Sequence, residues 1–299
     1  MKKPPLSSTP YLSIQQLASD LRDPVEGCPW DKEQNHKSVI HNLVEETYEV
    51  VDTIENLDNS AEAYEKLKEE LGDLFFQIVF HSQLANEKKQ FNLDDVIRYS
   101  LEKLVFRHPH IYGDGESLDS SEKVLTNWEM IKRKEREKKN DTGSMLSGIP
   151  GSMPALLKAY RLGQKVARVN FDWIGREGKE QLLAKVLEEY NELLDELPED
   201  TKTYKNPTDE SIIAKKERAE EELGDLLFVT AQLARHFSID PELALQKANK
   251  KFQKRFEEME HHFTERLNRH DHPSVDEWED AWQNVKAKEK KEKAKKRTS

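Results

Sequence analysis

One cysteine, Cys28, leaves this 299-residue chain without a partner for an internal disulfide, so a reducing, cytoplasmic setting is expected. Glycine and proline are sparse, at 11 and 12 residues, and no stretch alternates apolar and polar residues as a half-buried strand does. The expected class is therefore all-α. No apolar run approaches the roughly 20 residues that span a bilayer. Met-Lys-Lys-Pro-Pro at the start lacks the apolar segment of a secretory signal, and no membrane partner is expected. Net positive charge is missing too: the formal balance of −11 argues against nucleic acid as a partner. From about residue 286 onward the chain is nearly all Lys, Glu and Ala, which reads as a helix end fraying into a disordered basic tail.

What the chain has in excess is carboxylate, and it has it twice. Glu69-Glu70-Leu71-Gly72-Asp73-Leu74-Phe75-Phe76 recurs as Glu221-Glu222-Leu223-Gly224-Asp225-Leu226-Leu227-Phe228. Each copy follows a Glu-Glu-x-x-Glu-x-x-Asp motif: Glu45, Glu46, Glu49 and Asp52 in the first half, Glu188, Glu189, Glu192 and Asp195 in the second. A self-match offset by about half the chain implies a tandem duplication. The expected domains are 1–141 and 142–299, divided by the charge run 132–141 and Thr142-Gly143-Ser144.

Both motifs fall on helices. At 100° per residue the four carboxylates of the first motif lie within about 120° of one face, while Val44, Val50, Val51 and Ile54 take the other. Taken alone, such a helix is more often a solvated acidic face than a site. The partner helix, 71–84, is apolar on nearly every side and reads as mostly buried. Glu70 and Asp73 ride at its start, and burying unpaired carboxylates costs several kcal/mol per ion. Lys66 or a metal ion must compensate. Gly72 and Gly224 each cost a helix interior roughly 1 kcal/mol, which implies a close approach to the backbone there. Ser13-x-x-Gln16, Asp119-x-x-Glu122 and Ser274-x-x-Glu277 read as helix caps, and Asp240-Pro241 as an N-cap followed by proline in the first turn. Further helices are expected over 154–166, 179–197 and 215–233, with a polar loop at 198–209. Trp30 between Pro29 and Asp31 reads as a packed corner, echoed by Phe171-Asp172-Trp173.

Carboxylates without His or Cys neighbours suit hard cations, Mg²⁺ or Mn²⁺, rather than zinc. Such ions support displacement at phosphorus. In Gly27-Cys28-Pro29-Trp30-Asp31, both acidic motif pairs and Phe171-Asp172-Trp173, the chain resembles the MazG family of nucleoside triphosphate pyrophosphohydrolases, in its two-domain bacterial form. The resemblance spans roughly residues 11 to 290. It implies tandem helical-bundle domains of the all-α NTP pyrophosphatase type, a homodimer, and Mg²⁺-dependent hydrolysis of ribo- and deoxyribonucleoside triphosphates to monophosphate and pyrophosphate. It further implies that the C-terminal half carries the activity.

The residues of that half fit the implication. Glu189, Glu192, Glu222 and Asp225 are the expected Mg²⁺ ligands, with Glu188 as a further ligand or the base for water. Lys185, Arg218, Glu221, Lys251, Lys254 and Arg255 are the expected substrate-binding set, and Trp282 the platform for the base. The alternatives are a solvated basic face for Lys251 and Arg255 and core packing for Trp282. The first half offers Asn42 for Lys185, Lys66 for Arg218, and about Val105 and Pro109 for Lys251 and Arg255, so most of its phosphate clamp reads as lost. Its carboxylates Glu45, Glu46, Glu49, Glu70 and Asp73 form a possible second metal site.

Two rival readings stand beside this one. A di-iron bundle would need Glu-x-x-His pairs, spelled here by Glu33-x-x-His36 and Glu258-x-x-His261. A non-catalytic nucleotide-, metal- or protein-binding module is the other, above all for the first half.

Overall fold

The computed structural model describes residues 4–6, 9–113, 119–138, 144–169, 171–172, 178–205 and 207–298. Among them every regular element is a helix. The chain divides into two compact units, Met1–Asp141 and Thr142–Ser299.

In the first unit, α1 (Pro10–Leu21), α2 (Pro29–Glu33), α3 (Ile40–Glu55), α4 (Ala61–Glu87), α5 (Leu93–Arg107), α6 (Pro109–Tyr112) and α7 (Ser121–Lys138) follow in order. The central pair is α3 on α4. Ser60 starts α4 by accepting from the Ala63 amide at 3.2 Å, and the Asn92–Asp95 capping box starts α5. The core forms where α1 and α5 meet one face of α4: Ala18, Val79 and Leu93, closed over by Tyr11, Ile14 and Phe76. Val39, Phe80 and Leu84 extend it. Arg22 grips both Glu87 oxygens at 2.6 and 2.7 Å and donates to the Asp31 and Gln34 carbonyls, tying α1, α2 and α4 together.

In the second unit, α8 (Ala155–Ala167), α9 (Gly178–Glu196), α10 (Glu210–His236), α11 (Pro241–Asn268) and α12 (Val275–Thr298) repeat the plan. Here α9 lies along α10, and α8 covers α10. Gln232 is buried between α8 and α10 and donates to the Ala159 carbonyl at 2.8 Å. Asp240 caps α11 with Pro241 in its first turn. Ser274 and Glu277 cap α12 reciprocally, at 3.3 and 2.7 Å.

Several expectations need correction. α1 begins at Pro10 with Thr9 as N-cap, and the Ser13 hydroxyl bonds back to the Thr9 carbonyl, so Ser13 is not the cap. At α7 the amide of Lys123 bonds the Ser120 hydroxyl, one residue beyond the expected Asp119; the Glu122 side chain lies outside the described residues. Trp30 is 54% exposed rather than a packed corner, and Trp173 lies outside the described residues. The α4 helix is not buried all round: Leu71, Phe75 and Ile78 stay exposed, as do Leu223 and Leu227 on α10. Nothing comes within 4 Å of a Cβ built on Gly72 or Gly224, so no close approach to either occurs within one chain among the described residues. The basic C-terminal segment continues as helix to Thr298, and Lys288 and Glu289 bind Glu258 and Arg255 on α11.

Candidate metal and nucleotide site

Each unit brings three carboxylates from its central helix pair to one point. Glu189 and Glu192 on α9 meet Glu222 on α10, and Glu46 and Glu49 on α3 meet Glu70 on α4; within each trio the oxygens lie within 4.8 Å of one another. The helical spacing Glu-x-x-Glu stacks two of them on one face, and the facing helix supplies the third. Asp73 crowds Glu46, and Asp225 crowds Glu222.

Like charges at this spacing resist ionisation. Burial first, then Glu192, Asp225, Glu189 and Glu221, raises Glu222 above the ordinary carboxylate range. Glu46 is raised by burial, then by Asp73, Glu49, Glu70 and Glu45. Glu70 is raised by burial and by its hydrogen bond with Glu49, against the opposing charge of Lys66 at 3.8 Å. In the second unit Lys185 reaches Glu189 at 2.8 Å and Glu188 at 3.0 Å, and these bonds hold its ammonium firmly protonated. Glu189 itself is buried. An all-oxygen donor set with buried, mutually repelling members fits a hard divalent cation.

The expected phosphate ligands are placed less simply. Arg218 is bound at 3.0 Å to Glu196 at the end of α9. Lys251 and Lys254 are exposed on α11. Arg255 forms a forked pair with Glu289, its Nη2 at 2.7 Å, and its guanidinium stands 5.3 Å from the Trp282 ring centre. Trp282 also contacts Phe252 at 5.5 Å between centroids. Its described ring contacts are thus to α11, while the carboxylate trio sits on α9 and α10.

The register of the two halves also differs from the expected one. Counted from the N-caps Asn92 and Asp240, Lys103 and Arg107 match Lys251 and Arg255, while Phe106 replaces Lys254. Arg107 makes the same forked pair, with Glu135 at 2.6 Å, and Trp128 precedes Glu135 as Trp282 precedes Glu289. The expected pairing with Val105 and Pro109 is wrong, and the first half keeps more of its basic helix than the sequence suggested. The differences that remain are Asn42 for Lys185, Lys66 for Arg218 and Phe106 for Lys254.

The di-iron pairs do not assemble among the described residues. His36 Nδ1 lies 2.9 Å from His81 Nδ1, Glu258 binds Lys288, and His261 is exposed.

Two stretches, residues 34–112 and 177–259, match the MazG nucleotide pyrophosphohydrolase domain, one on each carboxylate trio. The chain belongs to the MazG family. It carries the MazG domain twice and is a hydrolase. It is 40% identical over 269 residues to the nucleoside triphosphate pyrophosphohydrolase of Escherichia coli (strain K12), covering 90% of this chain and 94% of that protein. It is 38% identical over 250 residues to the nucleoside triphosphate pyrophosphohydrolase/pyrophosphatase MazG of Thermotoga maritima, covering 84% and 85%. A nucleoside triphosphate pyrophosphohydrolase of Mycobacterium tuberculosis matches over 142 residues at 35% identity, 47% of this chain and 40% of that protein. No helix among the described residues is long and apolar enough to cross a membrane.

Proposed function

We propose that this MazG protein hydrolyses ribo- and deoxyribonucleoside triphosphates between the α and β phosphates in the cytoplasm, cleansing or regulating the nucleotide pool, with the C-terminal unit as the catalyst. The observation that carries the reading is the convergence of Glu189, Glu192 and Glu222 within 4.8 Å, with Lys185 closing on Glu189. Glu189, Glu192, Glu222 and Asp225 would hold Mg²⁺, with Mn²⁺ as a substitute. The ion when bound neutralises phosphate charge and acidifies water.

The remaining work falls to side chains. Glu188 is exposed and shares Lys185 with Glu189, and it would take the proton from an attacking water. The water oxygen bonds to one phosphorus of the bridge, the bridging bond breaks, and monophosphate and pyrophosphate leave. Lys185, Arg218, Lys251, Lys254 and Arg255 hold phosphate oxygens, in sites shaped on the Glu221 side by α10. Trp282, braced by Phe252 and Arg255, offers a ring face to the base. The exposed stripes Leu71, Phe75 and Ile78 on α4, and Leu223 and Leu227 on α10, support a homodimer.

For the N-terminal unit the favoured reading is a retained, weakly active or inactive copy. Lys66 sits against Glu70 where a cation would otherwise compensate it.

The test is product analysis. With Mg²⁺ or Mn²⁺, each triphosphate in a panel should yield equal amounts of monophosphate and pyrophosphate, and excess chelator should stop the reaction. Diphosphate and inorganic phosphate as the first products would overturn the reading.

A further inference from the structure

Lys66 and Arg218 hold the same position in the repeat, one turn ahead of Glu70 and Glu222. Their surroundings differ. Lys66 leans into its own acidic trio, 3.8 Å from Glu70. Arg218 turns the other way and binds Glu196 through Nε at 3.0 Å. The first half has no such carboxylate: counted from Glu46 and Glu189, Thr53 stands where the second half has Glu196.

The consequence falls on Glu222. Among the described residues Glu222 makes no ion pair, whereas Glu70 has Lys66 at 3.8 Å. A tethered cation beside a carboxylate competes with any dissolved cation for the same oxygen. Glu196 removes that competitor. It is also firmly placed: the hydroxyl of Tyr204, from the segment joining α9 to α10, donates to the Glu196 carbonyl at 2.5 Å. Its Oε2 is shut away from water with no hydrogen-bond partner, while Oε1 faces Arg218.

We propose that Glu196 is a positioning residue that holds the Arg218 guanidinium off Glu222, leaving that carboxylate for a divalent cation and the guanidinium for a substrate phosphate. The proposal rests on the metal reading above and concerns Glu222 alone, since Lys185 already pairs with Glu189 in the same trio. Thr53, at the position of Glu196, offers Lys66 no carboxylate, and Lys66 stands against Glu70 instead.

The test is Mn²⁺ binding to the full chain, followed by the loss of the free-ion electron paramagnetic resonance signal. The site of interest is the portion of binding that Glu222→Gln removes. Glu196→Thr should weaken that portion about tenfold, as expected for one added competing charge. Glu196→Gln, which keeps the side chain's shape, should do likewise. Adding Arg218→Ala to Glu196→Thr should restore Mn²⁺ affinity without restoring the KM for nucleotide, a recovery that simple structural damage would not give. Unchanged Mn²⁺ binding in both Glu196 variants, or no recovery in the double variant, would overturn the proposal. If Glu222→Gln itself leaves Mn²⁺ binding intact, the metal reading fails first, and this proposal with it.

Discussion

Lys185 and Glu189 face each other at 2.8 Å across one turn of α9, and Asn42 at the matching place in α3 can bring no charge to Glu46. The Asn42 Oδ1 is itself buried without a partner. Removing Lys185 leaves Glu189 buried among like charges. Lys185→Ala should therefore lower kcat/KM by about 100-fold, near 3 kcal/mol. It should also lower the unfolding midpoint of the metal-free protein, with much of that loss recovered by Mg²⁺. Steady-state kinetics and thermal melts with and without the ion check both parts.

Acidity should act on stability with a definite sign. The carboxyls of Glu46, Glu70 and Glu222 are raised by burial and like charge, so across the range between the ordinary glutamate value and the raised one the folded chain binds more protons than the unfolded chain. Their contribution is therefore greatest on the acid side of that window and is lost as pH rises through it. Melts of the metal-free protein should show this, and Glu222→Gln should flatten the slope. Saturating Mg²⁺ should do the same by taking the proton's place. Activity moves the opposite way and should fall on acidification, because the protonated carboxyls are poor ligands.

Packing in the second unit depends on an absent side chain. A Cβ on Gly163 would lie 1.7 Å from Gln232 Oε1. That amide cannot swing clear cheaply, since it is buried, donates to Ala159 and accepts from Arg235 Nε at 2.9 Å. Gly163→Ala should cost roughly 1–3 kcal/mol, read as a lower midpoint in urea. An unchanged midpoint would show that α8 and α10 can part without penalty.

Leu223 is 46% exposed and Leu227 49% on α10, within the described residues of the second unit. Replacing both with glutamate should convert a homodimer to monomer in sedimentation velocity, because charge in an apolar interface has no partner. A pair of variants that sediments as the parent does would place the contact elsewhere.

Much of this was legible in the residues. The paired acidic motifs, the two-unit repeat and the Asp240 and Ser274 caps follow from local spacing, and the structure realises them as helices that converge as the spacing requires. Most of the differences share a cause: they concern contacts made between helices. An apolar α4 reads as buried because sequence cannot say which face another helix covers, and Leu71 and Phe75 remain exposed. The match of Arg107 to Arg255 is hidden because α4 runs further past Glu70, to Glu87, than α10 runs past Glu222, to His236. The caps Asn92 and Asp240 restore the register. Glu196 was passed over because its meaning lies in Arg218, a helix away. The Ser13 cap failed for a local reason: Pro10, suited to a first turn, was the stronger start signal.

The central claim is that the second carboxylate trio catalyses pyrophosphate release. The most direct measurement compares pyrophosphate and monophosphate formed by the parent protein, Glu70→Gln and Glu222→Gln, with Mg²⁺ and a panel of nucleoside triphosphates. The account predicts that Glu222→Gln abolishes release while Glu70→Gln retains most of it. Loss in Glu70→Gln with activity kept in Glu222→Gln would contradict it.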